Sequence, residues 1–187
     1  MSNYLSNIPL AGPALFILTV FIFALFKPKY RPLHNTISEL ALGRYGYIQT
    51  ANFILSGLLI LVLGLRLVST QEHLYGSVAV SVMGAVLLLS AVFRTDPITA
   101  NGSTTTGKVH NGLFFIGIFG ILTAQFVTGF SSLGSALGVF SLACGTLTLL
   151  GLPITITRQT YMGLFQRALV LVVMVWISGF AASLLGW

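Results

Sequence analysis

Six apolar runs, each close to twenty residues long, divide this 187-residue chain. They cover about 8–26, 47–65, 76–93, 112–130, 132–152 and 168–187. A helix of roughly 20 apolar residues crosses the ~30 Å hydrocarbon core of a bilayer, and runs of this length are far too long for strands. The connections hold too few charges to coat a soluble particle. Asp, Glu, Lys and Arg make up 6% of the chain, against about 25% in ordinary soluble domains. The expected fold is an all-α integral membrane protein, a single domain over 1–187 built as a compact bundle of six transmembrane helices.

Six crossings bring the first, third and fifth connections to one end of the bundle. That end carries Lys27, Lys29, Arg31, Arg44, Arg94, Lys108, Arg158 and Arg167, and the other carries Arg66 alone. The positive-inside rule places the basic end in the cytoplasm of an inner membrane and both termini outside. No Lys or Arg precedes the first run, and "FIFALFKPKY" has no small-residue cleavage pattern, so that run reads as a span rather than a signal peptide. The basic residues are scattered between apolar runs, so membrane topology explains the net charge of +6 better than nucleic acid does. The lone Cys144 excludes a disulfide or a cysteine metal site within one chain. On the fifth run "GSALG" (134–138) is a G-x-x-x-G pattern flanked by Ser131, Ser135, Ser141 and Gly145. It predicts close helix packing, within the bundle or between the copies of a homo-oligomer, with membrane lipids around the rest.

The scarce polar chemistry gathers at the basic end. Of three acidic residues and three histidines in the chain, Glu39, Asp96, His34 and His110 lie there. Within "LHNTISELALGRYG" (33–46), Thr36 and Glu39 have capping-box spacing, in which each side chain satisfies a free N–H at a helix start. This predicts a short interfacial helix over about 36–43, ended by Gly43. Gln49, Asn52 and Ser56 share one face at the mouth of the second span. "FRTDP" adds Arg94 and Asp96, "KVHNG" adds His110 and Asn111, and "GLFQR" adds Gln166 and Arg167. Polar groups near hydrocarbon are costly without partners, and ionisable ones are functional candidates. The expected arrangement is a vestibule with Glu39 and Asp96 facing Arg44, Arg94 and Arg167, and with amides and histidines between them. The competing reading is a network that locks helix ends together: Glu39 as a cap, Asp96-Pro97 as a turn, Arg167 snorkelling to headgroups.

"ISELALG", "QTANFILSGLL", "FRTDP", His110 and "GLFQR", in that order over nearly the whole chain, resemble the bacterial domain-of-unknown-function 998 family. The resemblance implies a compact helical membrane protein of this size and no established activity. Its pattern points to Ser38, Glu39, Gly43, Asn52, Asp96 with Pro97, His110, and Gln166 with Arg167.

Three functions fit these residues. The first is a site that binds or moves a small anionic molecule or lipid headgroup, with His34, Arg44, Gln49, Asn52, Arg94, Asn111, Gln166 and Arg167 as contacts. The absence of an internal repeat or broken-helix pattern favours binding over transport. The second is a membrane-embedded hydrolase or group-transfer enzyme. In it His110 and Asp96 act as base and orienting acid, Glu39 is a further carboxylate, and Ser38 or water is the nucleophile. A metal held by His110, Asp96, His34 and Glu39 is a variant of that chemistry. The third is an accessory subunit that docks through small-residue faces. The sequence assigns no cofactor, and both histidines lie at the membrane edge, a poor position for haem.

Overall fold

The computed structural model describes residues 8–157 and 159–186. Arg158 and Trp187, used above for charge counting and for the last span, lie outside the described residues. The spanning helices are α1 (Ala11–Phe26, entered by a 3-10 turn over Ile8–Leu10), α2 (Gly46–Ser69), α3 (Leu74–Val92), α4 (Thr105–Ser131), α5 (Ala136–Thr157) and α6 (Met162–Leu185). All six are long and apolar enough to cross a bilayer, as a multi-pass membrane protein requires. Successive helices pack side by side and α6 returns to α1, which closes the ring.

Leu18, Leu25, Leu58, Leu65, Val139 and Leu150 point outward and are exposed, the surface expected where the solvent is lipid. Trp176 and Phe180 of α6 turn inward, fully buried and stacked 4.8 Å apart. The indole N–H donates to Ser141 Oγ of α5 at 3.0 Å, which satisfies a donor that lipid could not.

Helices extend past the apolar runs at the basic end. α4 starts at Thr105 rather than near 112, because Thr104 Oγ1 accepts the Gly107 N–H at 3.1 Å and caps a polar first turn. α5 continues through Pro153 to Thr157. There the Thr157 hydroxyl donates to the Pro153 carbonyl (2.8 Å) and Thr155 to that of Gly151 (2.9 Å).

Two expectations need correction. The G-x-x-x-G pattern does not form one helical face. Gly134 lies before α5 in the α4–α5 turn, with φ +85°, and Gly138 packs against the Ser132 carbonyl of that turn. The oligomer reading loses its motif, and the close helix seam lies elsewhere, between α2 and α3. A Cβ on Gly84 would collide with the Leu61 backbone, and one on Gly64 with that of Ser81.

The interfacial helix over 36–43 is likewise not formed. The segment makes a four-residue 3-10 turn, Ser38–Ala41, with Ile37 and Leu40 buried beneath it rather than lying along a membrane surface. An α-helix would pair the carbonyls of 39, 40 and 42 with N–H groups four residues on. Here the Glu39 carbonyl accepts the Leu42 N–H three residues on (3.1 Å), and Lys27 Nζ donates to the carbonyls of 39, 40 and 42 at 3.2, 2.6 and 2.6 Å.

Candidate functional site

The connection between α1 and α2, residues 27–45, folds over the basic end as a cap. Its reciprocal T-x-x-E bonds are present: Glu39 Oε2 accepts from Thr36 N (2.8 Å), and Thr36 Oγ1 accepts from Glu39 N (3.4 Å). Glu39 Oε1 also accepts from Ile98 N at 2.9 Å, which joins the cap to the α3–α4 connection. Gln166 Oε1 accepts from Ile37 N at 2.7 Å and joins it to α6.

Arg167 is 5% exposed, and its guanidinium donates to the carbonyls of Pro32 (2.6 Å), Asn35 (3.1 Å) and Gly163 (2.9 Å) and to the Tyr30 hydroxyl. Gly163 permits this approach, since a Cβ there would strike the Asn35 carbonyl. Lys27 and Arg167 thus supply donors to carbonyls of the cap, where lipid would offer no water. Burial lowers the Lys27 pKa, with the nearby Glu39 charge pulling partly back.

His110 lies within the first two turns of α4 and is 5% exposed. Its Nδ1 is 2.8 Å from the Phe93 carbonyl and its Nε2 is 2.7 Å from Ser38 Oγ. A carbonyl only accepts, so Nδ1 carries the proton and Nε2 receives the Ser38 hydroxyl hydrogen. This imidazole and the Phe53 ring of α2 meet edge to face, with centroids 6.4 Å apart.

Two cavities meet at this pair. The outer one, about 490 Å³, opens at the basic end and is lined by Thr36, Thr95, Asp96, Ser103, Asn111 and Thr155 among others. The inner one, about 60 Å³, descends among Phe16, Phe53, Met83, Ile118, Val173 and Met174. Ser38, His110, Phe114 and Gln166 line both. On α4, Phe114 and Ile118 follow His110 at i+4 and i+8, so the helix face carries the inner lining deeper with each turn.

Other predicted site residues lie apart from this junction. Asp96 does not orient His110: its oxygens accept from Thr104 N and Thr104 Oγ1, both at 2.8 Å, and close the α3–α4 loop. Gln49, Asn52 and Ser56 do share a face, and that face is turned toward α1. Ser56 Oγ donates to Asn52 Oδ1 (2.9 Å), and Asn52 Nδ2 to the Phe16 carbonyl (3.3 Å) and Gln49 Oε1 (3.4 Å). Arg44 and Arg94 are exposed, Arg44 with its guanidinium over the Tyr45 ring. His34 bonds the Thr160 carbonyl and stacks on Tyr161.

No Lys or Arg among the described residues lines either cavity. Arg44, Arg94 and Arg167, expected as anion contacts, line neither of these two cavities. Nor do three His, Cys, Asp or Glu side chains come together as a metal ligand set among the described residues. Of the four metal candidates, Glu39 is turned to amides, Asp96 to Thr104, His34 to the α5–α6 connection, and His110 to Phe93 and Ser38.

Sequence reasoning missed Lys27 and Tyr30 as parts of the cap, and the Phe93 carbonyl as the group that orients His110. Only Thr104 carried a usable signal, a threonine ahead of a helical run.

No curated protein and no solved structure matches the chain. The family model described as "Protein of unknown function (DUF998)" matches residues 10–183, which takes in the cap, both cavities and nearly all of the six spanning helices. On that match, the chain belongs to the DUF998 family.

Proposed function

We propose that this protein binds a single-chain amphiphile at the basic end of its bundle, with the polar head in the outer chamber and the start of the chain in the inner cavity. The observation that carries the reading is the junction at Ser38, His110, Phe114 and Gln166, where a chamber of mixed polar and apolar lining gives way to an almost wholly apolar one. The inner cavity is several times what one water needs and offers mainly hydrocarbon and aromatic walls. The outer lining supplies hydroxyls, amides and one carboxylate. That chemistry suits a neutral polyol-like head better than the anion suggested by the charge count.

An ether-linked monoalkyl glycerol is the matching probe, and the purified protein is expected to bind it saturably. Ser90 lines the inner cavity, and its hydroxyl only returns to the Val86 carbonyl of its own helix. Ser90→Leu should fill that space and weaken binding by about tenfold or more. Absence of saturable binding to the unaltered protein, or unchanged affinity in Ser90→Leu, overturns the reading.

The proposed setting is an inner membrane, with the basic end and its outer chamber facing the cytoplasm and both termini on the far side.

A further inference from the structure

Resting on this two-chamber reading, we infer that Ser38 is a nucleophile with His110 as its general base, and that the bound amphiphile is a carboxylic ester cleaved by acyl transfer to Ser38. In a single-chain ester the carbonyl lies where head meets chain. The Ser38–His110 pair lies where the two chambers meet. The hydrogen bond between them, 2.7 Å long, already points the hydroxyl proton at Nε2, because the Phe93 carbonyl holds the other ring proton.

Both groups are held in place by neighbours. His110 is fixed by Phe93 and by the edge contact with Phe53. Ser38 sits in a turn secured on each side, by Gln166 on Ile37 N and by Lys27 on the Glu39 carbonyl. Gln166 commits its oxygen to that bond, so what it can offer a substrate carbonyl is its Nε2 protons.

In the first half-reaction Ser38 Oγ bonds to the ester carbonyl carbon as its proton passes to His110 Nε2. The tetrahedral adduct then expels the alcohol, breaking the C–O bond, and the imidazolium returns the proton to that alcohol. Water from the outer chamber, deprotonated by Nε2, next attacks the acyl-Ser38 carbonyl. The carboxylic acid leaves, and the proton returns to Ser38 Oγ. The orienting group is a carbonyl rather than a carboxylate, so the imidazolium receives less stabilisation than in a triad and turnover is expected to be slow.

The test uses the full chain in detergent with three probes. These are a monoacyl glycerol ester, its ether analogue, and a fluorophosphonate whose attachment point is read by peptide mass spectrometry. The expected result is ether bound, ester hydrolysed, and the phosphonate on Ser38. Ser38→Ala abolishes both reactions, and His110→Gln slows labelling by about 100-fold or more. Because the Ser38 variant can misfold, site mapping on the unaltered protein decides on its own. Ether bound with the ester intact and Ser38 unlabelled overturns the inference and leaves the binding reading standing. Failure of the ether to bind, with no label on Ser38, overturns both. Hydrolysis that persists undiminished in a folded Ser38→Ala protein also overturns the inference.

Discussion

Tyr30 is where the chemistry of the cap becomes measurable at a single residue. Its hydroxyl lies 2.7 Å from the Thr36 carbonyl and 3.1 Å from that of Asn35, and it accepts from Arg167. Burial pushes its pKa from 10.0 up to about 12; the Arg167 charge and hydrogen bond pull the other way, and Glu39 adds a smaller upward push. A phenol whose folded pKa exceeds its unfolded one keeps its proton longer when folded. Its contribution to stability is therefore complete below about pH 10 and is lost as the pH rises toward 12. A spectrophotometric titration of the six tyrosines should resolve a late-titrating phenol that Tyr30→Phe removes. Thermal melts of the unaltered protein should lose ground to that variant between pH 10 and 12. A Tyr30 that titrates with its neighbours would mean that the cap is open in solution.

At the scale of elements, the tightest glycine contact between the backbones of two spanning helices is the α2–α3 seam, not "GSALG". Gly84 brings α3 against the Leu61 backbone, and backbone cannot retreat as a flexible side chain can. Gly84→Ala should cost about 1–3 kcal/mol or more, read as a lower melting temperature in detergent. Gly120→Ala on α4, where a Cβ meets nothing within 4 Å, should cost nothing measurable. Equal losses at the two positions would contradict the seam. The contrast also shows what was legible beforehand. Spans are legible because length and apolarity add up along the chain, and the Thr36–Glu39 capping box because its partners are three residues apart. Gly84 carries no letter that distinguishes it from Gly120, since what matters is a backbone 23 positions earlier, at Leu61. His110 was legible as a scarce ionisable group, whereas its Phe93 partner is a carbonyl that every residue possesses. The role of the arginines was not legible for a related reason: a charge count cannot tell a guanidinium free to bind a ligand from one that, like Arg167, donates to backbone carbonyls.

For the whole molecule, the proposed orientation rests on basic residues of two kinds. Lys27 and Arg167 are turned to carbonyls of the cap, so they report packing rather than sidedness. Lys29, Arg31, Arg44, Arg94 and Lys108 are all exposed at the basic end, against Arg66 at the other. The positive-inside rule weighs Lys and Arg in short loops close to the span ends, which is where these lie. None of these five lines either of the two cavities described above. Cys144 is the only cysteine and is buried, so a Cys144→Ser background allows single reporters to be placed. In intact cells, a membrane-impermeant maleimide should label Glu72→Cys, at the α2–α3 connection, and spare Lys108→Cys until the membrane is opened. The reverse pattern would turn the bundle over and place the outer chamber, with the Ser38–His110 junction at its floor, outside the cell. Amphiphiles would then have to reach that junction from the outer leaflet instead of from the cytoplasmic one.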